Sequence, residues 1–230
     1  MGSEKIFPEG LLGKKVGMTQ IFDESGNCIP VTILEMGPCT VLDVREQGAH
    51  GYEAVKLGFE EKSMQKMNKA ESGNFKKYAQ GGFRYVQEMR CAVDALGWGE
   101  AGRTLTVSDV FKEGEKVDVS GKSLGRGFTG VVKRYGVAGQ PNTQGTHEAR
   151  RNIGSIGCRK SPGRVFKNKK MPTHYGNKRV TVQNLKVVSI QPEHNILLVK
   201  GAIPGHKGAL IEVRKAAKSY VVPVKQEQAA

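Results

Sequence analysis

GSIGCRKSPGRVFKNKK, residues 154–170, carries six Lys or Arg side chains and no acid. Cations packed this densely displace condensed counterions and pair with phosphates. Covalent chemistry needs something else: a base, an acid or a nucleophile held within hydrogen-bond reach of its partner. Gly154, Gly157 and Gly163 allow close backbone approach to a polyanion, and with Pro162 they leave no helical or strand period long enough to read. Only Ile156, Val165 and Phe166 offer apolar anchors in this stretch.

Two enzyme-like motifs lie just upstream. SGKS, Ser120 to Ser123, resembles the end of a Walker A loop, but that loop needs a glycine at position 116, where Lys116 stands. GRGFTG, Gly125 to Gly130, fits the G-x-G-x-x-G template. A dinucleotide fold then requires a helix and a strand ending in an acid, whereas Glu148 falls within GTHEARR. No Ser, His and Asp set, carboxylate pair or Cys and His pair is singled out by spacing, so no catalytic residue, cofactor or small-molecule substrate is expected. Cys28, Cys39, Cys91 and Cys158 are scattered without a Cys-x-x-Cys pair, and the five histidines are equally dispersed, so no metal site is expected. The thiols should be reduced, with Cys28, Cys39 and Cys91 buried as small hydrophobes and Cys158 exposed in the basic loop.

Charge is segregated along the chain. Residues 121–180 hold 14 Lys or Arg against one acid, Glu148, so 14 − 1 = +13 of the net +14 lies there. The other 170 residues carry 22 basic and 21 acidic side chains, a net of +1. A near-neutral globular part is therefore joined to a cationic segment, and the natural partner of that segment is a polyanion. No apolar run approaches the roughly 18 residues of a membrane span, and MGSEKIFPEG lacks the apolar core of a secretory signal. These features lead to the expectation of a cytoplasmic protein without a membrane partner.

The elements that must carry the cationic segment are strands. KVGMTQIF, CIPVTILEM, TVLDVRE and YEAVKLGF alternate or are β-branched and are separated by the turn clusters DESGN, GPC and QGAHG. After the segment the pattern returns in RVTVQNLKVVSI, ILLVKGAIPG and ALIEVRK. Short strands on both sides of an insertion, without alternating helices, predict a mainly β fold built on a closed barrel. Residues 62–100 are more polar and less regular. Met64, Met67, Phe75 and Tyr78 suit short helices and FRYVQEMR another strand, which predicts a small α/β insertion with Trp98 as a packing residue. The expected divisions are 1–120 for the first part of the barrel, 121–179 for the basic extension, 180–220 for the closing strands and 221–230 for a flexible tail.

From Val137 to Arg179 the chain is poor in aliphatic residues. Ordering each backbone unit costs roughly 1–2 kcal/mol, and internal burial cannot offset that over some forty residues. Such a segment is expected to order on its partner. As a pair of arms of about 21 residues each, it reaches at most roughly 70 Å, far enough to enter a large RNA. Phe128, Tyr135, Phe166, His174 and Tyr175 are interleaved with the cations, either to stack on unpaired bases or to pack locally.

FKEGEKVDVSGKSLGRGFTGVVKRYG, Phe111 to Gly136, resembles the signature of the universal large-subunit ribosomal protein L-three family, bacterial type. Phe111, Asp118, Gly121, Ser123, Gly125, Arg126, Gly127, Gly130 and Arg134 fall at that pattern's spacing. The resemblance extends through GLLGKKVGMTQIF, GSIGCRKSPGRVFKNKKM, RVTVQNLKVV and ILLVKGAIPG. It implies a six-stranded barrel like the second domain of translation factors. It also implies a long extension into large-subunit rRNA whose tip, Gly154 to Gly163, approaches the peptidyl transferase centre, and an early role in subunit assembly. Some members carry a methylated glutamine in the tip, but no Gln lies between 154 and 163 here. The expected RNA-binding residues are Lys122, Arg126, Gly127, Lys133, Arg134, Arg150, Arg151, Gly154, Ser155, Gly157, Arg159, Lys160, Arg164, Phe166, Lys167, Lys169, Lys170, His174, Tyr175, Lys178 and Arg179. Expected partners are the rRNA and neighbouring large-subunit proteins, without homo-oligomerisation. The alternatives are an RNA-modifying enzyme, which needs a cofactor pocket, and a nucleoid-type DNA-binding protein, which the lack of a recognition helix disfavours.

Overall fold

A computed structural model describes residues 9–78, 81–90 and 100–218. Among them the fold is mainly β. The chain divides into two units: one runs up to Lys122 and resumes at Arg179, and the other is Ser123–Lys178.

In the first unit, six antiparallel strands form a ring that closes on itself: β1 (Gly10–Phe22), β12 (Leu210–Lys215), β7 (Lys116–Lys122), β10 (Arg179–Gln191), β11 (Ile196–Lys200) and β2 (Cys28–Met36), with β2 paired back onto β1. β1 spans the closure because it is long. Its first residues, Gly10 to Lys14, pair with β12, and Gly13 to Phe22 pair with β2. Burial follows the same division, since Gly10 to Gly13 are all buried and the distal half of the strand is largely exposed. β10 changes register between Val182 and Leu185. Asn184 takes a positive φ there and its amide donates to Asp118 Oδ1 at 2.8 Å, so a side chain replaces the interrupted ladder bond.

The second sheet has the order β5 (Gly82–Met89), β4 (Ala54–Lys62), β3 (Cys39–Arg45) and β6 (Thr104–Leu105). Thus TVLDVRE and YEAVKLGF, which hairpin spacing alone would place in the ring, pair elsewhere. One apolar cluster nevertheless takes Leu11, Leu34, Val119, Leu197 and Val213 from the ring together with Val41, Leu57 and Met89 from this sheet. At about 1.5–3 kcal/mol for each fully buried large aliphatic side chain, this cluster is the main stabilising term. A satellite cluster of Leu42, Phe75 and Phe83, with Met64, Met67 and Tyr78 against it, holds the helix Lys69–Lys77. Asn68 caps that helix by accepting from the Glu71 amide at 2.7 Å. Before the short helix Val107–Val110, the Asp109 carboxylate accepts from the Thr106 amide at 2.8 Å and the Thr106 hydroxyl at 2.7 Å. Those two bonds hold its pKa below the usual carboxylate range.

The cysteines separate by environment. Cys39 is buried as expected, and its thiol donates to the Leu12 carbonyl at 3.4 Å. Burial pushes its pKa up to about 12, against the opposing effect of that hydrogen bond. Cys28 was expected in the core, but it is exposed at the start of β2, where the hairpin projects past the packed part of the ring. Cys158 is exposed. Because thiolate is the nucleophile, a maleimide at neutral pH should label Cys28 and Cys158 in the native chain and Cys39 only after denaturant is added. Site-resolved mass spectrometry checks this, and native labelling of Cys39 at the same rate would contradict it. Cys91, Trp98 and the 221–230 tail lie outside the described residues. Among those described, no helix is long and apolar enough to cross a membrane.

Candidate nucleic-acid interface

The second unit is assembled with almost no apolar burial. Two three-residue strands, β8 (Gly127–Thr129) and β9 (Thr173–Tyr175), pair antiparallel. At its root the Ser123 amide donates to the Lys178 carbonyl at 2.9 Å and the Asn177 amide to the Ser123 carbonyl at 3.1 Å. The Arg126 amide donates to the Tyr175 carbonyl at 2.9 Å. Gly176 is needed at this root: its φ is +75°, and a Cβ there would run into the Leu124 carbonyl oxygen. A one-and-a-half-turn helix, Val131–Tyr135, follows β8 and ends at Gly136 with φ +67°.

Beyond that helix regular structure nearly stops. Between Gly136 and Thr173 the only regular element is the 3-10 turn Glu148–Arg151. In all of Ser123–Lys178 only Thr129 and Val131 are buried. The three apolar side chains of the tip region point outward, with Ile156 at 43% exposure, Val165 at 40% and Phe166 at 60%. Phe128, at 80%, is the most exposed of the large apolar side chains described.

The electrostatics of the two units differ in kind. In the first, cations meet carboxylates: Lys14 with Glu60 at 2.7 Å, Lys215 with Glu9 at 2.9 Å, and Arg214 with the buried Glu212. In the second, twelve Lys or Arg stand against Glu148 alone. Among the described residues none of the twelve forms an ion pair with a carboxylate. Arg134 instead donates to the His174 carbonyl at 3.1 Å, and Arg150 to the Asn142 side-chain oxygen. Arg134 and Lys170 lie 4.9 and 5.8 Å from the centre of the Tyr135 ring, which fixes the ring as a local support for cations.

Most residues expected from the sequence fall within this unit. Arg126 precedes β8 and Gly127 begins it, Lys133 and Arg134 lie on the short helix, and Arg150 and Arg151 end the 3-10 turn. Gly154, Ser155, Gly157, Arg159, Lys160, Arg164, Phe166, Lys167, Lys169 and Lys170 follow on irregular chain. Every one of those ten is exposed. His174 and Tyr175 lie on β9, both exposed, and Lys178 closes the root. Lys122 and Arg179 are different: they face each other across β7 and β10 in the first unit, and Arg179 is already paired with Glu212 at 2.7 Å. SGKS is accounted for by the same strand, because Ser120 to Lys122 are ladder residues of β7 rather than a phosphate loop. Sequence reading passed over Gln140 and Asn152, polar residues without charge whose neighbours only the fold reveals.

Cations without carboxylates, exposed aromatic rings and a backbone loosened by glycine together match the surface of a single-stranded or structured nucleic acid. Residues 61–194 match the family described as Ribosomal protein L3. The large ribosomal subunit protein uL3 of Anaeromyxobacter dehalogenans (strain 2CP-C) is 49% identical over 224 residues, covering 95% of this chain and 94% of that protein. The protein of the same name from Corynebacterium jeikeium (strain K411) is 48% identical over 210 residues, covering 91% and 95% respectively.

Proposed function

The chain belongs to the ribosomal protein L3 family, and from that premise we propose that it is a structural constituent of the large ribosomal subunit which binds large-subunit rRNA directly. The ring of six strands serves as the closed barrel of translation-factor domain-two type, and Ser123–Lys178 as the part that penetrates the RNA. The tip, Gly154 to Gly163, approaches the peptidyl transferase centre and supports the geometry of RNA that performs the chemistry. Binding early, the protein helps nucleate assembly in the cytoplasm beside neighbouring large-subunit proteins, and it has no catalytic role of its own.

One observation carries this reading: from Val132 to Lys178 no residue is buried, while eleven cations and one acid occupy the same stretch. Left in water those charges repel one another, and nothing apolar opposes the entropy of ordering the backbone. Phosphates along closely packed RNA helices supply both the countercharge and the confinement.

The test is titration of the full chain with a large-subunit rRNA fragment across salt concentrations. With roughly ten phosphates engaged, the slope of log K against log salt should lie near −7 to −9. A slope near zero would remove the electrostatic account.

A further inference from the structure

The second unit contains a hollow of about 450 Å³ beside the end of the β8–β9 ladder, and we infer that it is a receptor for one unstacked rRNA base. This inference rests on the rRNA-binding reading given above. Its walls come from four separate stretches of chain. Val131, Ile153 and Pro172 supply apolar surface, while Gln140, Arg151 and Asn152 supply polar groups. The wall at 140 is tied to the wall at 149–152 by the Gln140 amide donating to the Arg150 carbonyl at 3.0 Å, and the Asn152 amide donates to the Ala149 carbonyl at 3.0 Å.

The chemistry of the lining discriminates between the parts of a nucleotide. A phosphate offers only acceptors, and cations suit it best. Here a single guanidinium is accompanied by two primary amides, each able to donate and to accept. Donors and acceptors side by side are what the Watson–Crick edge of an unpaired base presents, and RNA recognition by proteins reads such splayed bases on those edges. The Gln140, Arg151 and Asn152 side chains hydrogen-bond to no protein group among the described residues, so their capacity is unspent. Half-buried Ile153 and exposed Pro172 offer apolar surface to a ring face, with the buried Val131 packed behind them as a firm support, while the planar Arg151 guanidinium is suited to stack on the other face. The volume lies within the range of about 300–1,000 Å³ that small-ligand sites occupy, with room for the base and its bridging waters.

The experiment compares the full chain with Ala149→Trp, which fills the hollow from an exposed wall position, and with Asn152→Ala, which deletes one amide. Neither substitution changes charge. Each is bound to protein-free large-subunit rRNA, and base reactivity is mapped with dimethyl sulfate, kethoxal and carbodiimide. In the wild-type complex one nucleotide should be protected on its Watson–Crick edge. That nucleotide should regain its reactivity in both variants, with about 10-fold weaker binding and an unchanged salt slope. If binding is salt-dependent but no base responds to either variant, the receptor is overturned while the phosphate reading stands. If the wild-type chain binds without salt dependence, the rRNA reading falls and takes the receptor with it.

Discussion

Excising residues 130–172 and joining Thr129 to Thr173 through a short turn should weaken binding to large-subunit rRNA by about 10³-fold or more near 0.15 M salt. Thr129 and Thr173 are partners in the β8–β9 ladder, so a short turn can close them into a hairpin. The excision removes ten Lys or Arg and one acid, Glu148. Proteins that neutralise six to ten phosphates lose about 10³–10⁵ in affinity over a modest rise in salt. Losing the cations themselves should cost a comparable factor and flatten the salt slope nearly to zero. The six-stranded ring should survive, because every residue of its apolar cluster lies outside the excised stretch. Filter binding across salt, with a thermal melt as the fold control, checks both parts. An excised chain that keeps its affinity would place recognition elsewhere, and one that no longer melts cooperatively would make the extension part of the core.

Phe111→Ala should lower stability by about 3–5 kcal/mol. Phe111 is 2% exposed and belongs to the cluster shared by the ring and the second sheet. Its amide donates to the Val107 carbonyl at 2.9 Å, at the end of the helix capped by Asp109, so the backbone around it is held and cannot collapse into the space left behind. Against a total stability of about 5–15 kcal/mol, and at roughly 2–4 °C per kcal/mol for a chain of this size, the midpoint should fall by about 6–20 °C. Phe166→Ala provides the contrast. The same side chain is lost, but at 60% exposure the change in stability should stay within about 0.5 kcal/mol. Equal shifts from the two substitutions, read by circular dichroism, would refute this division between core and contact surface.

These two phenylalanines also mark how far the sequence could be read. Phe111 and Phe166 are the same residue type; cations and glycines surround the second in sequence, but only the fold buries the first in the shared cluster and leaves the second exposed. Charge and hydrophobic period are properties of neighbouring residues, so the segregation of +13 into one stretch, the positions of β1, β2, β10, β11 and β12, and the family resemblance were all legible without coordinates. Where neighbours mislead, the reading went astray. Cys28 sits in a strand of apolar pattern and was assigned to the core, yet the hairpin outruns the packed ring there.

What the tertiary structure alone decided is which distant stretches meet. β1 lies beside β12 although Gly10 and Arg214 are separated by nearly the whole chain, and β3 and β4 leave the ring to pair with β5 and β6. Glu212 looks like any strand acid until the fold buries it between Arg179 and Arg214. The hollow formed by Val131, Gln140, Asn152 and Pro172 has no counterpart in any local motif. Local pattern sets what each segment can pair with or bury. The choice among partners is made by the whole chain at once, because hydrogen-bond ladders and apolar packing reward contacts without regard to how far apart the residues stand in sequence.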